Sequence, residues 1–168
     1  MPRTFALSAH YPVSTEEILA AFADRRYWLA RLAGSGADAA TLDAMRVDPD
    51  GAISVTTTQR IGRDRLPALA AQFHPGDLEV VRTEEWSPLR NRTARSAVTG
   101  KVLRAPARLA GDAVLEPGDS GCILRFTATV RIDIPLVGGR IEGFIGTQLG
   151  ELMSAEQRFT SEWVGDPS

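Results

Sequence analysis

Cysteine is nearly absent from this chain. Cys122 stands alone, so no intramolecular disulfide can form, and neither a cysteine zinc cluster nor a CxxC redox pair can be built. A reducing cytoplasm is the expected setting. Histidine is almost as scarce: His10 and His74 are distant, and neither has a carboxylate or thiol at ligand spacing on its own element. No metal and no other cofactor is expected. Lys101 is the only lysine among 19 basic residues, a bias that a GC-rich genome explains without arginine-specific recognition. No uncharged stretch approaches the roughly 20 apolar residues of a membrane span. The run from Phe5 to Ala9 is too short, and Ser8 too polar, for the apolar part of a signal peptide. A formal net charge of −2 gives no whole-chain attraction to nucleic acid or anionic lipid, so neither nucleic-acid binding nor stable membrane insertion is expected.

What is present is an ordinary globular mixture, 43% apolar and 24% charged over 168 residues, enough for one domain spanning 1–168 with a substantial core. Thr4 to Ala9 alternates as a first strand. Ser14-Thr15-Glu16-Glu17 then forms a capping box, with Val13 and Ile18 placed as a hydrophobic staple. Asp24 can cap a second short helix holding Tyr27, Trp28, Arg31 and Leu32, which Gly34 ends. Leu42 to Val47 and Ala52 to Gln59 are joined by Asp48-Pro49-Asp50-Gly51, a hairpin turn. Leu66 to Phe73 suits a short helix. Strands follow over Asp77 to Trp86, Ala94 to Val102, Arg108 to Leu115 and Cys122 to Ile134. The last alternates clearly, with Phe126, Ala128, Val130 and Ile132 on one side and Arg125, Thr127, Thr129 and Arg131 on the other. After Gly138-Gly139 a final helix of about six turns places Ile141, Ile145, Leu152, Phe159 and Trp163 on one stripe. This order predicts an α+β fold: a curved antiparallel sheet around a long C-terminal helix, with two short helices after the first strand.

Three segments carry a family likeness: Ala21-Phe22-Ala23-Asp24 with Tyr27-Trp28 and Arg31-Leu32; Thr83-Glu84-Glu85-Trp86; and Ile134-Pro135-Leu136-Val137-Gly138-Gly139-Arg140-Ile141-Glu142. With Glu156, Phe159 and Trp163 they resemble the helix-grip superfamily (SRPBCC, START-like), which includes polyketide-cyclase-like and plant pathogenesis-related lipid-binding proteins. The closer resemblance is to an actinobacterial family of unknown function, number 2505. The likeness implies the helix-grip fold and an apolar cavity for lipids, polyketides or similar ligands. It supplies no catalytic residue.

Two motif matches fail on context. Gly118-Asp119-Ser120-Gly121 copies a serine-protease nucleophile segment but falls in a predicted turn, with no histidine placed to serve it. Gly34-Ser35-Gly36-Ala37-Asp38-Ala39 loosely fits a dinucleotide fingerprint, yet it follows a helix where that fingerprint follows a strand.

Polar residues caught on apolar faces are more informative. Gln148 and Glu156 fall inside the final helix's stripe, and Arg82 and Glu84 share a strand face with Leu78, Val80 and Trp86. They read as the few polar groups of an apolar pocket walled by Val55, Val80, Phe126, Val130, Ile141, Ile145, Leu152 and Phe159. The competing reading is a structural ion pair at the pocket's wet end. The leading expectation is a non-catalytic carrier of a small hydrophobic molecule. One rival is a cyclase- or hydratase-like enzyme in which buried Glu156, its pKa raised, acts as general acid or base, with Tyr11 or Tyr27 as a candidate second group. Another is a partner-binding domain using the glycine ridge Gly139, Gly143, Gly146 and Gly150 on the final helix, where a homodimer could meet, or the basic strip from Arg90 to Arg108.

Overall fold

The computed structural model describes residues 2–65, 68–72 and 76–165. His74, and the flanks of the short helix expected over Leu66 to Phe73, lie outside those residues. Seven antiparallel strands form one sheet: β1 (Arg3–Tyr11), β2 (Ala39–Val47), β3 (Ile53–Ile61), β4 (Leu78–Trp86), β5 (Ala94–Val102), β6 (Ala107–Gly118) and β7 (Gly121–Ile132), in the order β1-β7-β6-β5-β4-β3-β2. Between β1 and β2 come α1 (Thr15–Phe22) and α2 (Arg25–Ala33); α3 (Ala68–Ala71) precedes β4, and α4 (Gly138–Gly165) follows β7. The helix-grip architecture expected from the sequence is the one observed.

Local chemistry accounts for the helix starts. The Ser14 side chain accepts from the Glu17 amide at 3.2 Å, and Asp24 accepts from the Arg26 amide at 2.9 Å, each satisfying a donor that has no partner within its helix. Tight turns set the hairpins. In the β4–β5 turn Asn91 and Arg92 both take positive φ, 53° and 61°, the sense of turn that follows strand twist. Gly118 and Gly121 pair across the β6–β7 turn, so the protease-like tetrapeptide is a two-residue hairpin corner with Asp119 and Ser120 exposed.

The apolar core is in two parts. The first gathers Ile18, Phe22, Tyr27 and Trp28 of α1 and α2, Val55 and Trp86 of the sheet, and from α4 Met153, Phe159 and Trp163. The second gathers Val130, Ile132 and Ile141, with Phe5, Leu109, Ile145 and Leu149 packed against it. Thus the two halves of α4 close different ends of the sheet.

The buried face of α4 differs from the predicted stripe. Gly146 is buried while Leu152 keeps 38% of its surface exposed. The cause is Phe5 of β1: a Cβ on Gly146 would stand only 2.0 Å from Phe5 Cε1, so the ring reaches the helix backbone because glycine leaves the space. The expected glycine ridge therefore divides. Gly146 is covered by its own chain and Gly143 approaches the Arg3 guanidinium, whereas Gly139 and Gly150 face open space.

Candidate functional site

On β4, Glu84 and Trp86 are buried and Arg82 reaches α4, so alternation places Val80 on the same concave face. The register carries that face across neighbouring strands: Gln59 and Val102 pair with Val80, Thr57 and Gly100 with Arg82, and Val98 with Glu84. Leu109 then pairs with Gly100, and Gly111 with Val98. Gly111 has a steric reason to be glycine, since a Cβ there would meet the Phe126 ring at 2.7 Å. The ring of Phe126 thus reaches over Gly111. Val80, Val102, Leu109 and Phe126 are only half-buried although they point toward the helix side.

Four charged side chains meet at the edge of this surface. Arg82 Nη1 donates to Glu156 Oε1 and Oε2 at 3.0 and 2.9 Å, and its Nη2 donates to Glu84 Oε1 at 2.9 Å. Arg31 of α2 donates to the same Glu156 carboxylate from the other side. Its guanidinium carbon lies 4.8 Å from the Trp28 ring centroid and 6.0 Å from that of Tyr27, a cation–π arrangement. Tyr27 and Thr160 share a 2.6 Å hydroxyl bond beneath it. Two cations face two anions, so the group is neutral as a whole. A crevice of about 80 Å³, the room of a few waters, opens beside it among Trp28, Arg31, Thr57, Arg82, Leu152 and Glu156.

Electrostatics here correct one sequence-based expectation. Burial alone would raise the Glu156 pKa, but the adjacent Arg31 and Arg82 outweigh it and hold the carboxyl down to about 2. Glu156 is therefore a fixed anion near neutrality and carries no proton to give. Burial also pushes Tyr11 and Tyr27 upward, so both phenols stay protonated.

The predicted site residues are distributed as follows. Arg82, Glu84 and Glu156 are brought together. Val55 is a core residue beneath α1 and α2; Val130 and Ile141 belong to the second core part, with Ile145 packed on it. Phe159 lies 5.7 Å from Tyr27 between ring centroids and stacks on Trp163. Leu152 lines the crevice, Val80 and Phe126 face the concave side, and Gln148 is exposed. Sequence reasoning did not place Arg31 in the site. Its signal was a cation one helical turn beyond Tyr27, on a helix otherwise read for its aromatics.

Among the described residues no helix is long and apolar enough to cross a membrane. The chain is 42% identical, over 98% of both chains, to a Mycobacterium tuberculosis protein named uncharacterized protein Rv0481c. Among solved structures it is similar to TTHA0849 from Thermus thermophilus, with a TM-score of 0.60 at 15% identity, covering 98% of this chain and 97% of that one. Norcoclaurine synthase from Thalictrum flavum superposes with a TM-score of 0.54 at 12% identity, covering 99% and 88%. Likeness at such identity establishes the fold alone. The model of the family described as protein of unknown function (DUF2505) matches residues 6–164, and the chain belongs to that family.

Proposed function

We propose that this protein binds and carries a small hydrophobic molecule between the concave face of the sheet and α4. The observation carrying the reading is a set of inward-pointing apolar side chains that the core leaves incompletely covered. Val80, Val102, Leu109 and Phe126 point inward yet keep accessible surface, and Leu152 is 38% exposed on the helix above. Apolar side chains in a finished core would not retain it. The intervening floor is small, with Gly100 and Gly111 at adjacent register positions. A ligand hiding roughly 300 Å² of apolar surface there would gain about 7 kcal/mol before ordering costs. Arg82, the most exposed of the four charged groups at 28%, stands where a ligand's polar end would be oriented.

The fixed ionisation of Glu156 favours carriage over acid–base catalysis, since a carboxyl held near 2 has no proton to donate at neutral pH and is a weak base there.

Filling that space tests the reading. A Cβ at Gly100 would meet its nearest neighbour, Leu109 Cβ, at an ordinary 3.6 Å, so Gly100→Leu is sterically admissible. Native mass spectrometry and displacement of a fluorescent fatty acid should show at least tenfold weaker binding by G100L with an unchanged or raised Tm. Undiminished binding, or no binding by the parent protein to any of a panel of fatty acids, sterols and aromatic polyketides, would refute it.

A further inference from the structure

A separate recess, of about 620 Å³, lies on the outer face of the same sheet. That volume is within the range of small-ligand sites, several times that of the inner crevice. Its floor is set by register. Lys101 pairs with Arg108, and Arg108 with Arg131, so three cations stand directly opposite one another on β5, β6 and β7. Neighbouring strands are about 4.8 Å apart, placing the three Cα atoms within roughly 10 Å. Like charges directly opposed across strands destabilise a sheet. Here the repulsion is relieved on one side only. Asp133 sits 2.9 Å from Arg131 and 3.9 Å from Arg108, while Glu79, next along β4 from the recess, turns to Arg104 at 3.7 Å.

The adjoining row is hydroxylic. Thr83 pairs with Thr99, Thr99 with Ala110, and Ala110 with Thr129, and all of these line the recess. Thr83 is bonded to Thr56 at 3.2 Å and Thr129 to Thr4 at 3.0 Å; each pair uses one hydroxyl proton, and where Thr56 or Thr4 is the donor the recess threonine keeps its own O–H to donate to a phosphoryl oxygen. The acids Glu85 and Asp112 lie on this face beyond the threonine row.

We infer that this outer recess is a binding site for a small free polyanion bearing two or more phosphoryl groups, with Lys101, Arg108 and Arg131 on its oxygens and the threonine row beside them. Guanidinium forks match phosphoryl oxygens in pairs, and an ammonium adds a point charge. A ligand of this kind would cancel the like-charge strain of the ladder. The three cations and the threonines stand on the opposite face of the strands from the concave surface and suit a different ligand chemistry, although Gly100 and Leu109 border both.

Isothermal titration of the full chain with inorganic triphosphate at low ionic strength tests it. The wild type should bind, Lys101→Gln/Arg108→Gln should bind at least tenfold more weakly, and Arg90→Gln/Arg95→Gln, which removes the same charge elsewhere, should change affinity less than twofold. The first double variant should melt no lower than wild type, since it removes repulsion. Asp133→Asn, which removes the acid paired with Arg131 and Arg108, should tighten binding several-fold, and this gain is readable even should the double variant fold poorly. Absence of binding, equal losses in the two double variants, no gain from D133N, or capture by phosphatidylglycerol vesicles without triphosphate binding would each overturn the proposal.

Discussion

Arg82 and Glu156, 74 residues apart in sequence, meet through one guanidinium nitrogen that donates to both carboxylate oxygens. With Arg31 on the other side of the same carboxylate, that contact ties α4 to both β4 and α2. Glu156→Gln removes the shared anion and leaves two buried cations against Glu84 alone, so urea unfolding should show a loss of about 3–5 kcal/mol. Adding Arg31→Met restores the balance of one cation and one anion. The double variant should be less destabilised than E156Q by itself, a sign of coupling that independent sites would not give.

Acid should expose the same contact. The folded-state pKa of Glu156 is depressed to about 2 from the ordinary 4.5, so its contribution is full above about pH 4.5 and is lost as pH falls through about 2. The contribution is on the order of 3 kcal/mol. Stability measured from pH 5 to pH 2 should therefore fall more steeply in wild type than in E156Q, and parallel curves would remove Glu156 as the cause.

Gly146→Ala should destabilise by about 1–3 kcal/mol, because the added methyl group overlaps the Phe5 ring and either β1 or α4 must shift. Phe5→Leu in the G146A background should recover part of that loss. Were the glycine needed only for helix flexibility, the leucine would give no rescue.

The Cys122 thiol is buried, 2% exposed, and burial pushes its pKa up to about 11. Thiolate is then scarce at pH 8. Iodoacetamide labelling followed by mass spectrometry should be slow in the native protein and fast in urea.

Leu136 lies in the turn between β7 and α4 with φ of 71° and its side chain fully exposed. A branched side chain in that backbone region is strained by roughly 1–2 kcal/mol, and no buried contact offsets it. Leu136→Asn should raise the Tm by a few degrees in calorimetry.

The strands and helix starts were legible in the sequence because their signals are local. The alternation from Leu124 to Ile132 and the Ser14 cap need only neighbouring residues to be read. The rotation of α4 was not. A helical stripe is drawn from side-chain hydrophobicity, in which glycine has no weight, and only Phe5, far away in sequence, makes Gly146 an inward position. The site was half legible for a related reason. Glu156, Arg82 and Glu84 stood out as charges on apolar faces, but the direction of the Glu156 pKa depends on how many cations reach it. The second of these, Arg31, is 125 residues away.

Tyr27 receives Phe159 at 5.7 Å and Trp163 at 5.8 Å between ring centroids, and its hydroxyl partner is Thr160. Every one of those neighbours is translated more than a hundred residues later. The aromatic nest around α1 and α2 therefore stays open to solvent until residues 156–163 have been made and have docked, which places its closure late in folding and leaves aromatic surface exposed until then.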